Sequence, residues 1–106
     1  MPAYWLSDPK IGDVVAVKYI GRRTMLLKRV VALAGDTVEF RHGTLMVNGK
    51  PLKENWKTLG PCNWELPPRK VDEGCVYVVG DNRSMDMNDQ VFGQVPASRI
   101  LGRPIW

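Results

Sequence analysis

The chain has 106 residues, of which 44% are apolar and 25% charged, and 15 basic against 11 acidic residues give a formal net charge of +4. That is one domain's worth of chain, apolar enough for a packed core and too apolar for disorder. Its apolar runs are far shorter than the ~20 residues of a membrane helix, and the scattered positive charge reads as ordinary solubility rather than a nucleic-acid or anionic-membrane surface. Thirteen valines against five alanines favour strands, while ten glycines and eight prolines break up any long helix or helical repeat.

The first ten residues read as extended, because Pro2 and Pro9 bar a regular helix, and they do not read as a signal peptide. Gly12-Asp13 opens a strand over 14–19, Gly21-Arg22-Arg23 turns, and 25–34 reads as a long central strand. In it Leu26, Lys28, Val30 and Ala32 share one face, and Leu27, Arg29, Val31 and Leu33 the other. Both faces are apolar, so the strand is expected to be covered on both sides, with Lys28 and Arg29 as adjacent basic residues, one per face. After the turn at Ala34-Gly35-Asp36 come strands 37–41 and 44–47, joined by His42-Gly43. Asn48-Gly49 is the strongest hairpin signal, leading into a short strand over 50–53. Residues 54–70, with Gly60-Pro61 and Pro67-Pro68, read as an irregular excursion. Strand 75–79, a polar loop over 80–93 and a closing strand over 100–106 complete an all-β chain: a small, mostly antiparallel barrel or sandwich.

Two features could carry chemistry. A lysine on an apolar strand face is costly to bury as an ammonium; it is either ion-paired or snorkelling, or it sits neutral with a lowered pKa and acts as a general base. Arg29 stays charged in either case and suits an acidic partner. The second feature is the loop Gly80-Asp81-Asn82-Arg83-Ser84-Met85-Asp86-Met87-Asn88-Asp89, dense in acceptors but composed of ordinary turn residues. Its spacing does not fit a calcium loop, and Cys62, Cys75 and the single His42 lack zinc spacing, so no metal and no cofactor is expected. The two cysteines are either one disulfide or two inert thiols. A strand barrel that stacks single-stranded nucleic acid on Trp5, Trp56, Trp64 or Tyr77 is a conceivable but weaker reading.

Leu27-Lys28-Arg29-Val30 through Gly35-Asp36 resembles the lysine box of the type I signal peptidases, roughly K-R-V-x-x-x-P-G-D. Gly12-Asp13-Val14-Val15 resembles that family's short Gly-Asp strand box. Gly80-Asp81-Asn82-Arg83 with Gly93-Gln94-Val95-Pro96 resembles its last box, and Ile100-Leu101-Gly102-Arg103 its closing strand. The four boxes arrive in the family's order and span residues 12–103. The opening Met1-Pro2-Ala3-Tyr4-Trp5 is similar to the conjugative-transfer branch. The resemblance implies one all-β domain over residues 1–106 from a membrane-anchored serine endopeptidase whose catalytic face lies outside the cytoplasm. Its implied substrates are secreted preproteins or pilin-type precursors, cut after small residues, with no nucleic acid involved. Lys28 would be the general base for a serine nucleophile.

This sequence departs from the family pattern twice. The family's serine lies just ahead of a motif proline, which here means at or before Met1. Ser7, Ser84 and Ser98 lie in no such box, so the chain reads as a catalytic domain lacking its anchor and nucleophile, or else as an inactive homologue that binds precursors or pili. In the last box, a gap-free match puts the family's Ser on Asp86, its Asp on Asn88 and its Arg on Gln90. A shift by two restores Ser84 and Asp86, and on that preferred register Ser84 donates to the Lys28 amine while Asp86 orients it. Outside the cytoplasm, a Cys62–Cys75 disulfide is expected.

Overall fold

The computed structural model describes residues 9–18 and 25–102. The expectations for Met1–Trp5, Ser7, the turn at 21–23 and the last residues of the closing strand lie outside them. Among the described residues there are nine strands: β1 Val14–Val17, β2 Leu26–Leu33, β3 Thr37–Arg41, β4 Thr44–Val47, β5 Lys50–Pro51, β6 Leu66–Lys70, β7 Cys75–Val79, β8 Gly93–Pro96 and β9 Ile100–Gly102. Two single 3-10 turns, Met87–Asp89 and Ala97–Arg99, interrupt them. The strands form a five-stranded sheet in the order β8-β7-β2-β1-β9 and a four-stranded sheet in the order β5-β4-β3-β6, with every strand pair antiparallel.

One core lies between the sheets: Val31, Ala32, Tyr77 and Val79 of the larger sheet meet Val38, Phe40 and Leu45 of the smaller, with Trp64 and Val71 filling in. The opposite face of the larger sheet carries a second core of Val15, Val17, Val30, Val76, Val78, Val95 and Ile100. The central strand β2 serves both. Its alternation, however, breaks at a bulge between Val30 and Ala32. Val31 and Ala32 therefore both enter the inter-sheet core, and Leu33, not Ala32, packs with Val30 against the second. Cover on both faces holds only for the latter half of β2, since Met25 and Leu27 are 55% and 54% exposed.

The connections explain several sequence boxes. The β3–β4 hairpin turns at His42-Gly43 and the β4–β5 hairpin at Asn48-Gly49, all four residues at positive φ as a two-residue loop requires. Asp36 forms the corner between the sheets: its carboxylate accepts from the Leu33 N–H and the Asn48 side chain, and its backbone carbonyl from the Val71 N–H. Gly43 is a tight approach as well as a turn, because a Cβ there would stand 2.0 Å from the Cys62 carbonyl oxygen.

The stretch 54–70, expected to be irregular, contains strand β6, and β8 follows the polar loop in a stretch to which no element was assigned. Both are sheet edges. An edge tolerates Pro67, Pro68 and Pro96, which cannot donate to a neighbour. The expected disulfide is absent: Cys62 and Cys75 are free thiols, each packed against the inter-sheet core from its own segment. Trp64 and Tyr77 are buried at 1% and 6% exposure, so neither offers a face to a nucleobase.

Candidate active site

Lys28 is held on the interior strand β2, between β1 and β7. Its ladder partner on β1 is Val15, a member of the second core, so the half-buried Lys28 sits on that core's face, at its end. Arg29 points to the other face, opposite Val14 and Val79. One step beyond the Arg29–Val79 pair, the chain leaves β7 at Gly80, directly across from Lys28. There a Cβ would lie 3.2 Å from Lys28 Nζ and 3.1 Å from Gln90 Oε1. Residue 80 is glycine because the lysine amine and the Gln90 amide occupy the space a side chain would need. Lys28, Leu26, Gly80, Asp81, Asn82, Met85, Asp89, Gln90 and Val91 together line a cleft of about 340 Å³.

Arg29 explains why three boxes far apart in sequence belong together. Its Nε and Nη2 donate to the two carboxylate oxygens of Asp81 at 2.9 and 2.8 Å, and its Nη1 donates to the Gly12 carbonyl at 2.8 Å. Its guanidinium also lies 4.8 Å from the Trp56 ring centroid. The hydrogen bonds Arg29 donates to Asp81 push its pKa above the ordinary value, against the opposing effect of burial. Gly12-Asp13, Lys28-Arg29 and Gly80-Asp81 are thus locked in one knot, with the lysine on the far side of the sheet from the ion pair.

The loop after Gly80 is braced along its length. Arg83, 5% exposed, donates from Nε to the Gly80 carbonyl at 2.8 Å and pairs with both oxygens of Glu54. Leu59 forms a parallel bridge to Asn82 and exchanges backbone bonds with Asp81 and Arg83. The Trp64 indole donates to the Met85 carbonyl. Gln90, 8% exposed, accepts from the Gly80 N–H at 2.9 Å and donates to the Asn82 carbonyl.

The residues proposed from sequence sort differently from expectation. Lys28 and Arg29 stand one per face, as read. Ser84 is exposed and gives its hydroxyl to Asn82 Oδ1 at 2.6 Å. Asp86 caps the 3-10 turn by accepting from the Asn88 N–H, and Asn88 lies exposed in that turn. None of the three lines the Lys28 cleft. Short polar side chains in a loop find backbone partners two residues away before they find a distant amine. The polar loop residues that line the cleft are instead Asp81, Asn82, Asp89 and Gln90, none of which the sequence reading set beside the lysine. Only the gap-free match that set Gln90 on the family's arginine hinted at a special position. No group of three or more His, Cys, Asp or Glu among the described residues could hold a metal ion.

Comparison with known proteins bears directly on this arrangement. The family model "Signal peptidase, peptidase S26" matches residues 1–106. A probable signal peptidase I-2 of Synechocystis sp. is 36% identical over 95% of this chain and 49% of its own. Thylakoidal processing peptidase 1 of Arabidopsis thaliana is 31% identical over 98% of this chain and 34% of its own. The crystal structure of a signal peptidase I from Enterococcus faecalis superposes with a TM-score of 0.72 at 26% identity, covering 93% of this chain and 98% of that one. The chain spans about half or less of the length of these two curated relatives. With three of its boxes knotted beside one strand-borne lysine and the match running from end to end, the chain belongs to the signal peptidase family, peptidase S26.

Proposed function

We propose that this chain is the catalytic β-domain of a serine endopeptidase of the signal peptidase I type, with Lys28 as general base. The observation that supports it best is the position of the Lys28 amine. It is fixed on a central strand, on the face opposite the Arg29–Asp81 ion pair, and opens into a cleft floored by Gly80 and Gln90. A neutral amine there takes the proton from a serine hydroxyl as its oxygen attacks the scissile carbonyl. The amine then returns the proton to the departing peptide nitrogen, and water later cleaves the acyl-enzyme ester. The nucleophile is a serine other than Ser84, whose hydroxyl is given to Asn82 and which does not line the cleft. Substrates are preproteins or pilin-type precursors cut after small residues, and the domain works outside the cytoplasm on a membrane anchor. Among the described residues no helix is long and apolar enough to cross a membrane.

The test is cleavage of a preprotein and of a pilin-type precursor by the full-length protein that carries these 106 residues, beside its Lys28→Met variant. Methionine keeps the length and apolar stem of the side chain but removes the base. Cleavage is expected to fall by ~10²–10⁴-fold or more with the fold intact. Undiminished cleavage by folded Lys28→Met would remove the lysine from the mechanism. Precursor binding without cleavage by the unaltered protein would favour the inactive homologue.

A further inference from the structure

Gln90 stands out because it is a buried polar side chain that packs into the cleft without being one of the residues that carry the proposed chemistry. Its position in the gap-free match belongs to an arginine, yet here it is a neutral amide. It uses both ends: Oε1 accepts from the Gly80 N–H at 2.9 Å, and Nε2 donates to the Asn82 carbonyl. Those bonds span the three residues that lead out of β7 past the lysine. The same Oε1 and the Lys28 Nζ stand 3.1 and 3.2 Å from one point above Gly80. The amide therefore holds the strand exit open as a floor and presents its oxygen, not its nitrogen, toward the side on which the amine lies.

We propose that Gln90 is a positioning residue for Lys28: it fixes Gly80–Asn82 beneath the amine and sets the charge the amine experiences. The inference rests on the reading of Lys28 as base. The Gly80 N–H, being taken by Gln90, is removed from the set of donors that could stabilise an oxyanion. The other charged groups lining the cleft are Asp81 and Asp89, both from the loop. Asp81 is bound to Arg29, β1 presents the apolar Val15, and Arg29 lies on the opposite face. A change of charge at residue 90 thus acts on the amine at close range. A carboxylate placed there favours the ammonium, and the base then needs a higher pH to become neutral.

The experiment follows the Lys28 Cε resonance of the full-length protein by NMR against pH, assigned with Lys28→Met, and in parallel the pH dependence of kcat/KM on a precursor. Gln90→Glu, nearly isosteric, is expected to raise the Lys28 titration by about 1–3 units. The acid limb of the kcat/KM profile should move the same way. Gln90→Met, which removes both bonds, should speed exchange of the Gly80 amide at least ~10-fold and lower kcat more than it changes KM. A purely structural glutamine would give equal losses in both variants with the titration unmoved. An unmoved Lys28 titration in folded Gln90→Glu overturns the proposal. If that variant does not fold, Gly80→Ala serves, since its Cβ must displace the amine or the amide, and an unchanged titration there overturns it equally. A shifted titration in a protein that cleaves nothing would uphold the positioning role and discard the peptidase reading.

Discussion

Replacing Arg83 by methionine should cost more stability than any other single change in the 80–92 loop. The side chain is 5% exposed and pairs with Glu54, itself 18% exposed, through bonds of 3.2 and 2.8 Å. It also donates to the Gly80 carbonyl and lies 6.0 Å from the Phe40 ring centroid. Methionine fills much of the volume but leaves a largely enclosed carboxylate without its counter-ion and a carbonyl without its donor. Breaking a buried pair from one side costs roughly 3–5 kcal/mol, and because Glu54 keeps some contact with water the lower figure, about 3 kcal/mol, applies here. For a domain of this size that is a drop in Tm of about 12 °C or more. Denaturant unfolding at constant m measures it directly. The pair Arg83→Met with Glu54→Leu removes both charges and should recover most of the loss, to within ~1 kcal/mol of the starting protein. A loss below ~1 kcal/mol in Arg83→Met, or a double variant as unstable as the sum of its singles, would show that the pair is not the buried brace described above.

Tyr77 is buried, and burial pushes its phenol above the ordinary 10.0 while the charge of Arg69 pulls it partly back. A raised folded-state value means its contribution is complete below pH 10.0 and is lost as pH rises through the folded value; Tyr77→Phe should flatten that decline in a comparison of unfolding at pH 8 and pH 11. Gly43→Ala and Gly49→Ala separate strain from contact, since both glycines have φ of 80° but only Gly43 faces an obstacle, the Cys62 carbonyl. Gly49→Ala should cost about 1 kcal/mol and Gly43→Ala at least ~1 kcal/mol more, and equal losses on chemical denaturation would rule out the contact.

The parts of the fold that could be read from residues are those where local chemistry and tertiary position agree. Strands β3 and β4 have the bounds their alternation indicates, and Asn48-Gly49 turns between β4 and β5 because that dipeptide accepts two positive φ angles. The strands that escaped are the edges β6 and β8: Pro67 and Pro68 read as breakers although an edge leaves their missing N–H harmless, and the short run before Pro96 carries no strand alternation. Lys28 was legible as an anomaly, and the bulge at Val31 was not, because a period-two pattern carries no mark of one extra residue. The loop misled for a different reason. Ser84, Asp86 and Asn88 look like partners for an amine, yet Asn82 and the 3-10 turn absorb them locally. Gln90, lacking any short-range partner of that kind, reaches across to Gly80 and Asn82.

The stretch 54–70, which reads as filler, turns out to be what makes the loop usable. Glu54 holds Arg83, Leu59 bridges Asp81 and Arg83, and Trp64 reaches Met85. Trp64 is in turn stacked on Phe92 at 5.1 Å and set edge-on to Phe40 at 5.0 Å, so the loop is anchored in the inter-sheet core. The lysine, by contrast, belongs to the face of the second core. A proton-transfer site needs its base and the opposing wall held to a fraction of an ångström. Under the proposed function, the lysine is fixed by strand β2 and the wall by side chains rooted on the other side of the same sheet, with Arg29 and its Asp81 partner joining the two. That division explains how a loop with almost no regular structure can form a fixed wall of the Lys28 cleft. It is also why changes in residues far from Lys28, Glu54 and Trp64 among them, should register at the amine.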